Sequence, residues 1–337
     1  MSEVMKVRLA WIVTIFPLLI AGQTAGPALK PPSRVETKTT WKAPRTPDGK
    51  PDLQGIWTNN VATPLERPRD LAGKEFFTDE EAAAYEEQIR GRPDTNADVV
   101  SDTAVWWEKG KTIVTTHRTS LIIDPPDGRL PALTPEAQKK MAQIRAETRK
   151  HPNSGPEDFG LQSRCMLWPA TGPLPMLPSP YNNNYEIYQT KDYVAIEIEM
   201  IHDTRIIPLD GSPHIPATVQ QWMGDPRGRW EGDTLVVETT NFTDKTRFRG
   251  SDENLRLIEK FTRTAPDTLM YQFTLDDPTA FTKPWTAELP MVTTPGPLYE
   301  FACHEDNAAI PNMLKTARLA EKQALEKKAG ADKAGVK

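Results

Sequence analysis

Cysteine and histidine are scarce in this chain: two and five residues in 337. The histidines are His117, His151, His202, His214 and His304, and no two lie at a ligand spacing such as H-x-x-x-H. His202, His214 and His304 with Glu305 have suitable ligand types, but without such a spacing no metal is expected. There is no G-x-S-x-G elbow, no P-loop and no dinucleotide fingerprint, so no cofactor is expected either. No basic block is interleaved with aromatics. With 41 Lys and Arg against 46 Asp and Glu, the formal charge is −5. A mildly acidic chain has no electrostatic reason to bind nucleic acid or anionic lipid.

What is present at the N-terminus is ordered. Lys6 and Arg8 precede an apolar run from Leu9 to Ala21, and small residues follow to Gly26. That order is the one of a secretory signal peptide, and the run falls short of the ~20 residues a spanning helix needs. Cleavage after residue 25 is expected, with the mature protein periplasmic or secreted and not stably inserted in a membrane. No cysteine near the cleavage region offers a lipid attachment site.

In an oxidising compartment Cys165 and Cys303 often pair. Such a bridge would tie the approach to the sheet to its last segment. Two inert thiols, or a nucleophilic Cys303 beside His304, are the other readings of the same residues.

Residues 26–50, rich in Pro, Lys and Thr, read as an extended leader. Region 51–180 starts at Pro51-Asp52-Leu53-Gln54-Gly55-Ile56-Trp57 and carries two helices. Thr78 caps one through a capping box with Glu81; Thr134 and Pro135 open the other, running to about Lys150. Between them a short strand covers Arg118 to Ile123. A Pro-rich passage from Trp168 to Pro180 closes the region. From 181 to 310 strands recur: Asn184–Thr190, Tyr193–Leu209, Thr234–Phe242, Leu255–Arg263, Thr268–Asp276, Lys283–Thr293 and Leu298–Glu305. The Gly232-Asp233 pair marks a tight hairpin, since Gly supplies the positive φ that a primed turn demands. The fold class expected is therefore mainly β, an antiparallel up-and-down barrel or curled sheet, because closure removes exposed edges. A charged helix and tail fill 311–337.

Strand alternation assigns faces. Carboxylates recur among apolar neighbours at Glu238, Glu259 and Glu300, and a buried carboxylate needs a cation or a wet cavity. Arg205, Arg247, Arg263 and Lys283 are the cations that could pair with them. An acid–base site would draw on His202 and His304, with Glu238 or Glu300 orienting the imidazole and Arg205 stabilising a developing anion. Asp203 is next to His202 but points to the other face of a regular strand. Trp57, Tyr185, His214, Trp230 and Trp285 are the residues expected to line a ligand pocket.

Three phrases carry a resemblance: Pro51 to Trp57, the run from Trp222 through Arg229-Trp230-Glu231-Gly232-Asp233 to Phe242, and Tyr299-Glu300-Phe301-Ala302-Cys303-His304-Glu305. They resemble a group of exported bacterial proteins, and the resemblance implies export. More loosely, Gly55-x-Trp57 followed by a meander resembles lipocalins, which implies a cavity for a small, partly apolar ligand. The long N-terminal helical region and the carboxylate-bearing strands depart from that pattern. The functional expectation is an exported protein holding a small organic molecule in a barrel cavity. The alternative is a cofactor-independent lyase, isomerase or hydrolase on the same barrel.

Overall fold

The computed structural model describes residues 41–91, 110–150, 153–168, 172, 174–305 and 307–334, without the side chains of His202 and of 330–334. The expected signal peptide lies outside them, as does the leader up to residue 40.

The strands are β1 (Gly55–Thr58), β2 (Ile122–Asp124), β3 (Asn184–Gln189), β4 (Tyr193–Ile198), β5 (Thr204–Pro208), β6 (Asp225–Glu231), β7 (Thr234–Thr240), β8 (Arg256–Ala265), β9 (Thr268–Asp276) and β10 (Trp285–Thr293). They form a 10-stranded sheet with the hydrogen-bonded order β5-β4-β3-β1-β10-β9-β8-β7-β6, and β2 adds to β10. Every ladder on that path is antiparallel. Followed in a circle, the order is that of the chain, so the sheet is a nearly closed up-and-down barrel. Its path holds an odd number of strands, and strict alternation then leaves the two end strands, β5 and β6, running the same way. Parallel neighbours need a long crossover instead of a hairpin, and the connection 209–224 provides it. The seam closes by packing: a Cβ on Gly228 would lie 2.6 Å from Leu209 Cδ2 and 2.8 Å from Ile207 Cγ2.

Three expected strands come out differently. The short one expected over Arg118–Ile123 is β2, at Ile122–Asp124. The span Tyr193–Leu209 is not one strand but β4 and β5, separated by a 3-10 turn at Met200–His202 in which Ile201 has φ 63°. The hairpin changes which face Arg205 occupies, because it now lies directly opposite Ile196. The segment Leu298–Glu305 is not a strand. Pro295 and Pro297, just before it, cannot donate to a ladder, and β1 takes the place beside β10 instead.

The helices follow their local signals. Thr78 and Glu81 form the reciprocal capping box of α1 (Asp79–Arg90). Thr134 accepts the Ala137 N–H at the start of α2 (Pro135–Lys150). The C-terminal helix α3 spans Ala309–Ala334, a few residues longer at each end than its charged pattern indicates. Among the described residues no helix is long and apolar enough to cross a membrane. Cys165 and Cys303 form a disulfide across 138 residues, so Cys303 is not a free nucleophile.

The core is the barrel interior. Alternate residues of each strand turn inward, including Trp57, Tyr185, Phe261, Tyr271, Phe273 and Trp285, all fully buried. Phe273 meets Trp285 edge-on at 5.7 Å, a favourable arrangement for two quadrupoles. Leu174, Met176 and Leu177 of the Pro-rich passage join the same core, as do Leu121 and Ile122.

Candidate functional site

Within the barrel one ion pair is sealed from solvent. Glu259 on β8 lies between the inward residues Leu257 and Phe261, and Arg205 reaches it across the interior from β5. The guanidinium forks onto both carboxylate oxygens, Nη1 to Oε1 at 3.0 Å and Nη2 to Oε2. Tyr271 donates to the same Oε1 at 2.8 Å and accepts the Met176 N–H at 3.2 Å. Asn59 Nδ2 donates to the Met176 carbonyl at 2.9 Å and to the Tyr185 hydroxyl at 3.2 Å. Backbone from the Pro-rich passage is thereby stitched into the middle of the barrel. Burial would lower the Arg205 pKa, but the facing Glu259 carboxylate outweighs it and the net shift is upward. Burial raises both tyrosines: Tyr185 far above a free phenol, and Tyr271 likewise, with the Glu259 charge adding to the effect. A bidentate, tyrosine-supported pair compensates the loss of hydration that an isolated buried charge would suffer. Chemically it is a fixed, neutral unit packed among rings.

The residues expected to line a pocket divide accordingly. Trp57, Tyr185 and Trp285 are fully buried in this packed interior. The Trp57 indole N–H donates to the Leu53 carbonyl at 2.9 Å. Trp230 is half-buried against the core. His214 lies outside the barrel, on the crossover 209–224. Its Nδ1 pairs with Asp225 Oδ2 at 2.8 Å, and its Nε2 lies 3.9 Å from Glu238 Oε1. Asp225 also accepts the Ile215 N–H and meets Arg227 Nη1 at 2.8 Å. Asn241 reaches the carbonyls of Ile215, Pro216 and Val219. These bonds hold the crossover against the outer wall.

Of the expected acid–base residues, Glu238, Glu300 and His304 are not on the inner face of the barrel. Glu238 is on the outer face of β7, because its neighbours Val237 and Thr239 are the inward ones. Arg256 binds it with both Nε and Nη2 at 2.9 Å, and that contact holds the carboxyl below its ordinary pKa. Glu300 and His304 sit on exposed, non-strand backbone, so no strand register carries them to an inner face. Asp203 is half-buried at the end of the β4–β5 turn, where its carbonyl accepts the Ile198 N–H. The His202 side chain lies outside the described residues. Both Nη atoms of Arg205 bind Glu259, and its buried Nε has no hydrogen-bond partner among the described residues.

A different place has the open geometry a ligand needs. Between the C-terminal half of α2, the segment 157–164 and the loop 243–252 is a cleft of about 450 Å³, lined among others by Phe159, Leu161, Arg164, Lys245 and Arg247. Its carboxylates are locally engaged. Asp158 accepts the Ser154 and Gly155 N–H groups, and Glu157 lies 3.9 Å from Arg164. Arg247 Nε donates to the Asp244 carbonyl at 2.8 Å. Among the described residues no carboxylate is in ion-pair reach of Lys245 or of Arg247. The C-terminal end of α2 opposes an anion here with roughly half a charge, well below what the full cations supply. Sequence reasoning passed over Lys245 and Arg249, and weighed Arg247 only as a partner for barrel carboxylates. The available signal was their alternation with buried Thr246 and Phe248, which places all three cations on one exposed side.

Fold and site together define the class: a nearly closed antiparallel β-barrel, lined within by buried aromatic and aliphatic side chains, with a cation-lined cleft against its outer helix. No family model, no curated protein and no solved structure matches the chain.

Proposed function

We propose that this protein is exported to the periplasm or beyond and binds a small organic anion in the cleft formed by Arg164, Lys245 and Arg247. The observation that carries the reading is a concave space of about 450 Å³ with two cations, Lys245 and Arg247, that have no carboxylate partner among the described residues. Ligand sites are concave, of ~300–1,000 Å³, and place a few polar groups on partly apolar walls; Phe159 and Leu161 supply those walls here. The disulfide and the lack of a spanning helix among the described residues support the location. A site in the barrel is less well supported, because Trp57, Tyr185 and Trp285 are fully buried: Trp285 packs on Phe248, Phe273 and Phe281, Trp57 lies under Arg263, and Asn59 binds the Tyr185 hydroxyl. Acid–base catalysis is likewise less well supported, given where Glu238, Glu300 and His304 fall.

Titration calorimetry with benzoate as probe tests the reading. Saturable binding with Kd below ~1 mM is expected, and weakening by about tenfold or more in Arg247→Glu. Rising salt weakens it too, since these cations face solvent. Affinity indifferent to Arg247→Glu sinks the proposal.

A further inference from the structure

Helix α2 carries a narrow stripe of less exposed residues, Ala137, Met141 and Ile144, at helical spacing, and Thr148 continues it into the cleft. Only the first part of this stripe is covered: Ala137 is buried, whereas Met141 and Ile144 are only partly so. A second hollow of about 200 Å³ lies beneath them, bounded by Gly250 and Arg249. Gly250 leaves it open, for a Cβ there would stand 2.9 Å from Leu133 Cδ2 and 3.5 Å from Met141 Sδ. Arg247 lines both hollows, so the charged cleft and the apolar one share a wall.

On the reading that the cleft binds an organic anion, we infer that its occupant is an amphipathic carboxylate. The carboxylate sits against Lys245 and Arg247, and the alkyl or aryl body passes over Arg247 onto Met141 and Ile144. Within the first cleft Arg164, Lys245 and Arg247 face Glu157 and Asp158, a surplus of one positive charge that suits a single carboxylate. The second hollow offers the apolar body Met141 and Ile144; its other walls include Arg145, Arg249 and Gly250, and its one carboxylate, Asp252, is already paired with Lys140 at 2.6 Å.

Octanoate, acetate and octan-1-ol separate the parts by calorimetry on the full mature chain. Each methylene buried is worth about fourfold in affinity, so octanoate is expected to bind at least ~10-fold tighter than acetate. Octan-1-ol, lacking the charge, is expected to be weaker than octanoate by a similar factor of about 10. The double variant Met141→Gln, Ile144→Asn alters an exposed helix face. It is expected to bring octanoate down to the affinity of acetate and leave acetate unchanged. Unchanged circular dichroism and melting temperature establish that it is folded. Equal binding of acetate and octanoate, with both lost in Arg247→Glu, overturns the amphipathic inference and leaves the anion reading standing. Equal binding of octanoate and octan-1-ol overturns both, as does the absence of binding by any carboxylate.

Discussion

Arg205 and Glu259 are the residues whose environment is most demanding. Both side chains are buried, and each has the other. Removing one partner leaves a buried charge uncompensated, so Glu259→Gln is expected to cost about 3–5 kcal/mol in urea unfolding. Replacing both with apolar residues, Arg205→Met with Glu259→Leu, is expected to recover most of that loss, because the desolvation penalty disappears with the charges. A double variant as unstable as the single one would contradict this account. The tyrosines set the alkaline limit. Their folded pKa values are raised, so the stability linked to them is complete below the unfolded value of ~10 and is lost as pH climbs above it. Phenolate absorbance for Tyr185 and Tyr271 should therefore appear together with unfolding and not before it. At the acid end the sign is opposite for Glu238. Arg256 depresses its pKa, so its contribution is present above the unfolded carboxyl value of ~4.3 and fades as pH falls below it. In Glu238→Gln that part of the acid sensitivity should vanish from a pH series of melting temperatures.

Among the elements, the turns and seams are the sensitive points. Gly232 has φ 60° between β6 and β7, where Val237 and Gly228 are already in register. A β-branched residue there should cost about 1–2 kcal/mol from backbone strain alone. Gly228→Val is a harsher test, since its side chain would enter the contact with Leu209 and Ile207 that closes the barrel, and overpacking costs ~1–3 kcal/mol. If the seam is held by packing as described, protection of β5 and β6 amides from hydrogen exchange should fall first in that variant. The strand run from Leu255 to Asp276 and the capping box at Thr78 were legible in the sequence, because alternation and capping are local signals. The β4–β5 reversal was not. Its turn is made by Ile201 in the left-handed region, which an isoleucine adopts only when surrounding packing enforces it.

For the molecule as a whole, the Cys165–Cys303 bond closes the largest loop. In the chain-entropy model a loop of this size is worth up to about 4–5 kcal/mol, so Cys165→Ser with Cys303→Ser should lower the urea midpoint markedly under oxidising conditions. It also explains why Leu298 to Glu305 runs apart from the sheet: the tether leads that segment back to the Pro-rich passage. The interior draws on a distant segment too. Met176 brings a backbone N–H and C=O into it, where Tyr271 and Asn59 satisfy them.

Strand content, the hairpin at Gly232, the helix starts and the candidacy of the two cysteines follow from residue order alone, because each depends on neighbours a few positions apart or on composition. Whether a carboxylate faces in or out depended on partners more than fifty residues away in the chain. Arg205 finds Glu259, β1 enters beside β10, and Lys245 and Arg247 meet α2 only when the chain has closed on itself. Register and cross-barrel pairing are properties of that closure, so only the tertiary structure could decide them.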